Sequence, residues 1–280
     1  MVARRFAKSS LRGERRSRAR GHSVEFADYR NYVSGDDLRY LDWSLYGRLD
    51  RLFVRLYEEE RELPVTVFLD SSESMLFGEP RKFDFARMVA AAVCHVALCG
   101  FDRVTVRAFP EREENRTLKT ALMSVRGRQS SLGLMGHLSR LEPGGGGDLN
   151  AELRRGAIET RQVGLALVVS DLLDEQGYED GIKALLARGF QVMVVQVLSP
   201  EELNPTSFGD LKFVDAETGG IKEVTFGKFR LDGYQASTSA YIDQLAEFCR
   251  ARGVGFWSVS SACSLEELLL KQLKEGEFWR

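Results

Sequence analysis

A chain of 280 residues with 44% hydrophobic and 29% charged side chains has ordinary globular composition, which excludes a disordered, collagenous or coiled-coil protein. Lys and Arg number 39 against 41 Asp and Glu, a net charge of −2 that argues against a dedicated nucleic-acid binder. That total hides a split: residues 1–20 carry eight basic side chains and one acid, Glu14, so a local +7 leaves −9 for the rest of the chain.

Residues 1–24 are basic, poor in large apolar side chains and lack the apolar core of a secretory signal, so they read as a flexible arm, either solvated or in contact with an acidic partner or RNA. Residues 25–62 form a second zone, dense in charge yet rich in rings: Phe26, Tyr29, Tyr32, Tyr40, Trp43, Tyr46, Phe53 and Tyr57. Such a mixture predicts a structured extension. It is either an ion-paired layer packed on the sheet, with Tyr40 and Trp43 filling a small core, or a docking face on which Asp36, Asp37, Arg39 and Trp43 meet a partner.

Residues 63–280 alternate strands and helices. VTVFLD (65–70) is a continuous apolar run of the kind buried on both faces of a parallel sheet. Phe85, Met88, Val89, Ala92, Val93 and Val96 then predict one helix face, closed by Gly100. A strand follows at 104–109, a short helix at 131–141, a GGGGD loop, and a helix from 149 to 161 with Asp148 as its N-cap. Strands at 163–171 and 190–198 flank a helix near 178–188, and a hairpin is expected at 211–226 around Thr218-Gly219-Gly220. Tyr241, Leu245, Phe248 and Cys249 mark a helix face that ends at Gly253. GFWSVS (255–260) is the last strand, and Ser264 with Glu267 forms a capping box. This order predicts a three-layer α/β sandwich with a mostly parallel central sheet of Rossmann type, preceded by an N-terminal extension. Cys94, Cys99, Cys249 and Cys263 form no C-x-x-C pair and read as reduced core residues, and no run of about 18 apolar residues exists. A cytoplasmic protein without a membrane span is the expectation.

Ligands of such sheets sit beyond the carboxyl ends of the strands. Two of those ends carry oxygen-bearing side chains: Asp70-Ser71-Ser72-Glu73-Ser74 after one strand, and Ser170-Asp171 after another. Two carboxylates with two or three hydroxyls make a hard oxygen site suited to Mg²⁺ or Mn²⁺. The alternative is that Asp70 and Ser72 cap the next turn and Asp171 caps a helix. His22, His95 and His137 are scattered and pair with no recognisable nucleophile.

The D-x-S-x-S loop resembles the metal-ion-dependent adhesion site of von Willebrand factor type A domains: Asp70, Ser72 and Ser74 match its first loop and Asp171 its third. The second loop departs from that pattern, because Gly147 stands where relatives carry Thr; Asp148 completes the site, or the site is weak or empty. Upstream, Val24-Glu25-Phe26, Tyr29-Arg30-Asn31-Tyr32, Gly35-Asp36-Asp37-Leu38-Arg39-Tyr40-Leu41-Asp42-Trp43 and Arg55 to Glu60 are similar to the bacterial "domain of unknown function 58" family, over about residues 20–275. This resemblance implies a non-enzymatic adaptor that acts with a MoxR-type AAA+ ATPase in chaperone or assembly work, a partner's carboxylate completing the metal. A metal-dependent hydrolase or phosphotransfer enzyme using Asp70 is the competing expectation.

Overall fold

The computed structural model describes residues 24–59, 62–110, 124–174, 176–205, 209–214, 221–226 and 228–268. The basic arm up to residue 23 and the Thr218–Gly220 turn lie outside them. Contacts divide the chain into two units, Met1–Glu62 and Leu63–Arg280.

In the first unit, Val24–Asn31 (β1) pairs antiparallel with Phe53–Glu59 (β2), setting Tyr29 opposite Arg55 and Asn31 opposite Phe53. The connection carries a 3-10 turn, Leu38–Tyr40, and a short helix, Trp43–Leu49 (α1). Asp42 organises the unit. Its Oδ1 accepts from the Ser44 and Leu45 amides at 2.9 and 3.1 Å, capping α1, while its Oδ2 accepts from Tyr29 Oη and Arg55 Nε at 3.0 and 2.9 Å. The Leu45 amide, with the Arg55 and Tyr29 donors, holds the Asp42 carboxyl down at about 2. The interior is built from Leu41 and Val54, which face each other across an isolated bridge. The sequence expectation that Tyr40 and Trp43 fill this core is therefore corrected: they are 47% and 64% exposed. The cap at Asp42 turns the chain, so Leu41 and not Trp43 is carried against Val54.

The second unit opens with Pro64–Asp70 (β3), then Lys82–Cys99 (α2), Arg103–Phe109 (β4), Val125–Arg126 (β5), Ser131–Leu138 (α3) and Leu149–Glu159 (α4). Leu165–Ser170 (β6), Glu179–Arg188 (α5), Gln191–Leu198 (β7) and Pro200–Leu203 (α6) follow. A side hairpin of Gly209–Val214 (β8) and Ile221–Phe226 (β9), a helix Lys228–Arg250 (α7) and a strand Gly255–Ser260 (β10) complete it. The central sheet runs β10-β7-β6-β3-β4-β5, parallel except for β5. The chain is thus a mixed α/β protein whose sheet is covered by helices on both faces.

Side chains alternate along β3. Val65, Val67 and Leu69 join α2 and α3 in one core, whereas Phe68 joins α4, α5 and α7 in the other. The predicted face of α2 is half corrected. Val89 is buried, but Met88 is 48% exposed and Val96 lies outside as well, while Ala86, Ala90, Cys94 and Ala97 are inside. Small residues let this helix approach the sheet closely, and apolar size alone misjudged its face. Cys94 and Cys249 are buried as expected, Cys99 is exposed, and all four thiols are free. The capping box holds: the Glu267 amide donates to Ser264 Oγ at 3.0 Å.

From β3 the chain crosses to β4 on one side, and from β6 it crosses to β7 on the other. The loops after β3 and β6 therefore part in opposite directions. The crevice between two such strand ends is where open α/β sheets bind ligands.

Candidate functional site

Buried strands deliver Asp70 and Asp171 to that crevice, and the backbone then fixes their surroundings. Asp70 is 5% exposed; its Oδ1 accepts from the Ser72 amide at 2.9 Å and its Oδ2 from Ser170 Oγ at 2.5 Å. Ser72 Oγ and Ser74 Oγ stand 3.0 Å apart. The glycine loop is stitched to the same turn, since the Gly144 amide donates to the Ser71 carbonyl at 2.7 Å and the Glu73 amide to the Gly145 carbonyl at 3.0 Å. Gly144 and Gly145 have φ of +145° and +81°, a path that favours glycine. Beyond β6, Leu172 takes φ +58°, a left-handed conformation that opposes a leucine by roughly 1–2 kcal/mol. Ser170 Oγ accepts from its amide and Tyr241 Oη donates to its carbonyl, which hold it there.

The feature that organises the site is a lysine. Lys82 opens α2, is 1% exposed, and its Nζ donates to Asp171 Oδ2 at 2.7 Å and to Glu202 Oε1 at 2.6 Å. Burial alone would depress the ammonium, but the Asp171 and Glu202 carboxylates outweigh it and hold its pKa above the ordinary lysine value. Each carboxylate is also held by the backbone. Asp171 Oδ1 accepts from the Leu173 amide at 3.2 Å, and Glu202 Oε2 accepts from the Ser199 amide at 2.8 Å within a capping box. Glu202 also lines a cavity of about 190 Å³ with Leu173, Leu198, Tyr234 and Tyr241 among its walls. His95 Nδ1 lies 2.8 Å from Ser131 Oγ, and burial holds the pKa of His137 below its ordinary value.

A family model described as "Protein of unknown function DUF58" matches residues 28–240, about three-quarters of the chain. The chain belongs to the DUF58 family. The chain is also similar to "Uncharacterized protein Mb1516" of Mycobacterium bovis and "Uncharacterized protein Rv1480" of Mycobacterium tuberculosis, each 26% identical over 254 residues, covering 89% of this chain and 78% of theirs. Among solved structures, the "conserved hypothetical protein BatB" of Bacteroides thetaiotaomicron aligns over 76% of this chain and 98% of its own at 16% identity and a TM-score of 0.44. An "aerotolerance-related membrane protein" of Bacteroides fragilis aligns at 15% identity and 0.42, covering 76% and 97%. These looser likenesses add nothing to the topology above.

In this DUF58 chain the sequence-derived residues Asp70, Ser72, Ser74 and Asp171 meet at one sheet edge. Asp148 is engaged elsewhere. Its Oδ1 accepts from the Ala151 amide at 2.9 Å and caps α4, whose first amide is taken by Asp174. As arranged, these residues do not fit a Mg²⁺ or Mn²⁺ ion. Asp171 is engaged by an ammonium, and the second loop supplies no hydroxyl at Gly147. A Cβ at that position would stand 3.0 Å from Pro110 Cβ, so a threonine there needs Pro110 to give way. Sequence reasoning placed Ser170 at this strand end beside Asp171 but missed Lys82 and Glu202. A signal for Lys82 existed, since a cation in the first turn opposes the helix dipole and so calls for acidic partners.

Asp70 sets a pH dependence. Its burial, together with the Asp171 charge, pushes its pKa up from 3.8 to about 7. The folded value lies above the unfolded one, so its contribution is fully present below pH 3.8 and is lost as pH rises through about 7. Asp70→Asn is expected to flatten the fall in melting temperature across that window. An equal fall in both proteins would show that Asp70 is not its source.

Proposed function

We propose that this chain is a non-enzymatic, protein-binding adaptor whose second unit is a von Willebrand factor A-type domain, and that its partner is a MoxR-type AAA+ ATPase. The partner class rests on the family resemblance, and a cytoplasmic location accords with four free cysteines. No helix among the described residues is long and apolar enough to cross a membrane.

One observation supports the adaptor reading above others. Within the first unit Val33, Leu38, Tyr40, Trp43, Tyr46 and Leu49 are all exposed, and the Trp43 and Tyr46 rings meet edge to face with centroids 6.2 Å apart. Apolar groups concentrated on so small a unit mark an interaction surface. The neighbouring charges are matched within the unit: Arg30 forks onto Asp36 at 2.7 and 2.6 Å, and Arg39 pairs with Asp37 at 2.6 Å. Exposed aromatic residues accompanied by charges already paired among themselves are the composition of a protein interface, and Trp43 is its anchor.

Size-exclusion chromatography with the MoxR-type ATPase of the same genome tests this. The wild type should co-elute and the Tyr40→Ser/Trp43→Ser variant should not, with its melting temperature little changed because both side chains are exposed. Co-elution unaffected by the double substitution would remove this surface from the account. Turnover of a generic phosphoester, abolished by Asp70→Asn, would replace the adaptor reading with the enzyme one.

A further inference from the structure

We propose that Lys82 is the resident cation of the sheet edge, so that a lysine ammonium, and not a divalent metal, balances the carboxylates at the carboxyl ends of β6 and β7.

A lysine at the start of a helix faces an unfavourable dipole, and a buried ammonium without partners is costlier still. Lys82 is nevertheless 1% exposed. What holds it there is a pair of carboxylates drawn from two other loops, Asp171 after β6 and Glu202 in α6, at 2.7 and 2.6 Å. The three groups tie together the segments that follow β3, β6 and β7, the three adjacent strands at the topological switch. A shared metal at such an edge would do the same.

The arrangement is closed as well as charged. Each carboxylate gives one oxygen to the ammonium and the other to a backbone amide, Leu173 for Asp171 and Ser199 for Glu202. A divalent ion at Asp171 would have to displace Lys82 or sit against its positive charge in a poorly screened interior. Gly147 withholds the second-loop hydroxyl that would help it compete, and the 3.0 Å approach of a Cβ to Pro110 shows that the loop is packed around its absence. With Asp171 and Glu202 committed to Lys82, this edge holds no metal for a partner's carboxylate to complete. Recognition by this protein must use other surfaces, and the inference stands whether or not an ATPase is the partner.

Manganese titration of the full chain, followed by electron paramagnetic resonance and by melting in Mn²⁺, Mg²⁺ or chelator, separates the two cations. The wild type is expected to show no saturable manganese signal and one melting temperature in all three conditions. Lys82→Met is expected to melt roughly 10 °C lower. Binding of manganese by the wild type that Asp70→Ala abolishes would overturn the proposal, as would a Lys82→Met protein that melts with the wild type. Should that variant fail to fold, the wild-type titration decides alone.

Discussion

Replacing Lys82 by methionine is expected to lower stability by about 3–5 kcal/mol, the loss that follows when one partner of a buried ion pair is removed. Methionine keeps the length of the aliphatic stem, so lost packing is small and the effect is electrostatic. Asp171 and Glu202, both little exposed, are then left as facing carboxylates without their shared cation. Urea unfolding measures the difference through the shift of its midpoint at constant slope. The cause is separated from simple damage by a second step. Adding Asp171→Asn and Glu202→Gln to Lys82→Met removes the stranded charges and should restore much of the loss, because a buried ionic group replaced as a whole is close to neutral. A triple variant as unstable as the single one would show that Lys82 acts through shape and not through charge.

Gly156→Ala carries the second large effect, with a sign opposite to the ordinary one. Glycine to alanine within a helix normally stabilises by roughly 0.8–1 kcal/mol. Here the added Cβ would stand 2.1 Å from Cε1 and 2.8 Å from Cζ of Phe68, a ring that is fully buried between β3 and α4. Neither partner can step aside without opening the second core, so the substitution is expected to destabilise by about 3 kcal/mol. Phe68→Leu should partly rescue it by trading the ring for a shorter side chain, although Phe68→Leu alone leaves a cavity. A double-mutant cycle read by urea unfolding gives the coupling. A stabilised Gly156→Ala protein would mean that α4 does not approach β3 as closely as described.

Strands β3, β6 and β7 were legible because each is a continuous apolar run buried along nearly its whole length, and burial on both faces leaves little room for other readings; the two-residue β5 carries no such signal. Asp70, Ser72, Ser74 and Asp171 were legible for a related reason, since residues directly after such strands must emerge at one edge. Lys82 was not. It lies twelve residues beyond Asp70, and only the packing of α2 brings it back to Asp171 and Glu202, which sit far along the chain. The face of α2 was half misread because close approach to a sheet favours Ala86, Ala90 and Cys94 over the larger Met88 and Val96. The pairing of β1 with β2 escaped because their partners are separated by a long connection, and the buried acid that joins them, Asp42, looks in the sequence like one more surface charge. Of the two readings of Trp43, only the core one fails, because size suggested a core residue while Leu41 and Val54 fill that interior and Trp43 is left exposed.

The most direct measurement is the calorimetric affinity of the full chain for the proposed partner, a MoxR-type ATPase, compared between wild type, Trp43→Ser and Asp70→Asn. Binding through the exposed face of the first unit predicts at least a tenfold weaker complex for Trp43→Ser, about 1.4 kcal/mol, and an unchanged one for Asp70→Asn. A complex that survives Trp43→Ser but is lost with Asp70→Asn would contradict it and place recognition at the sheet edge instead.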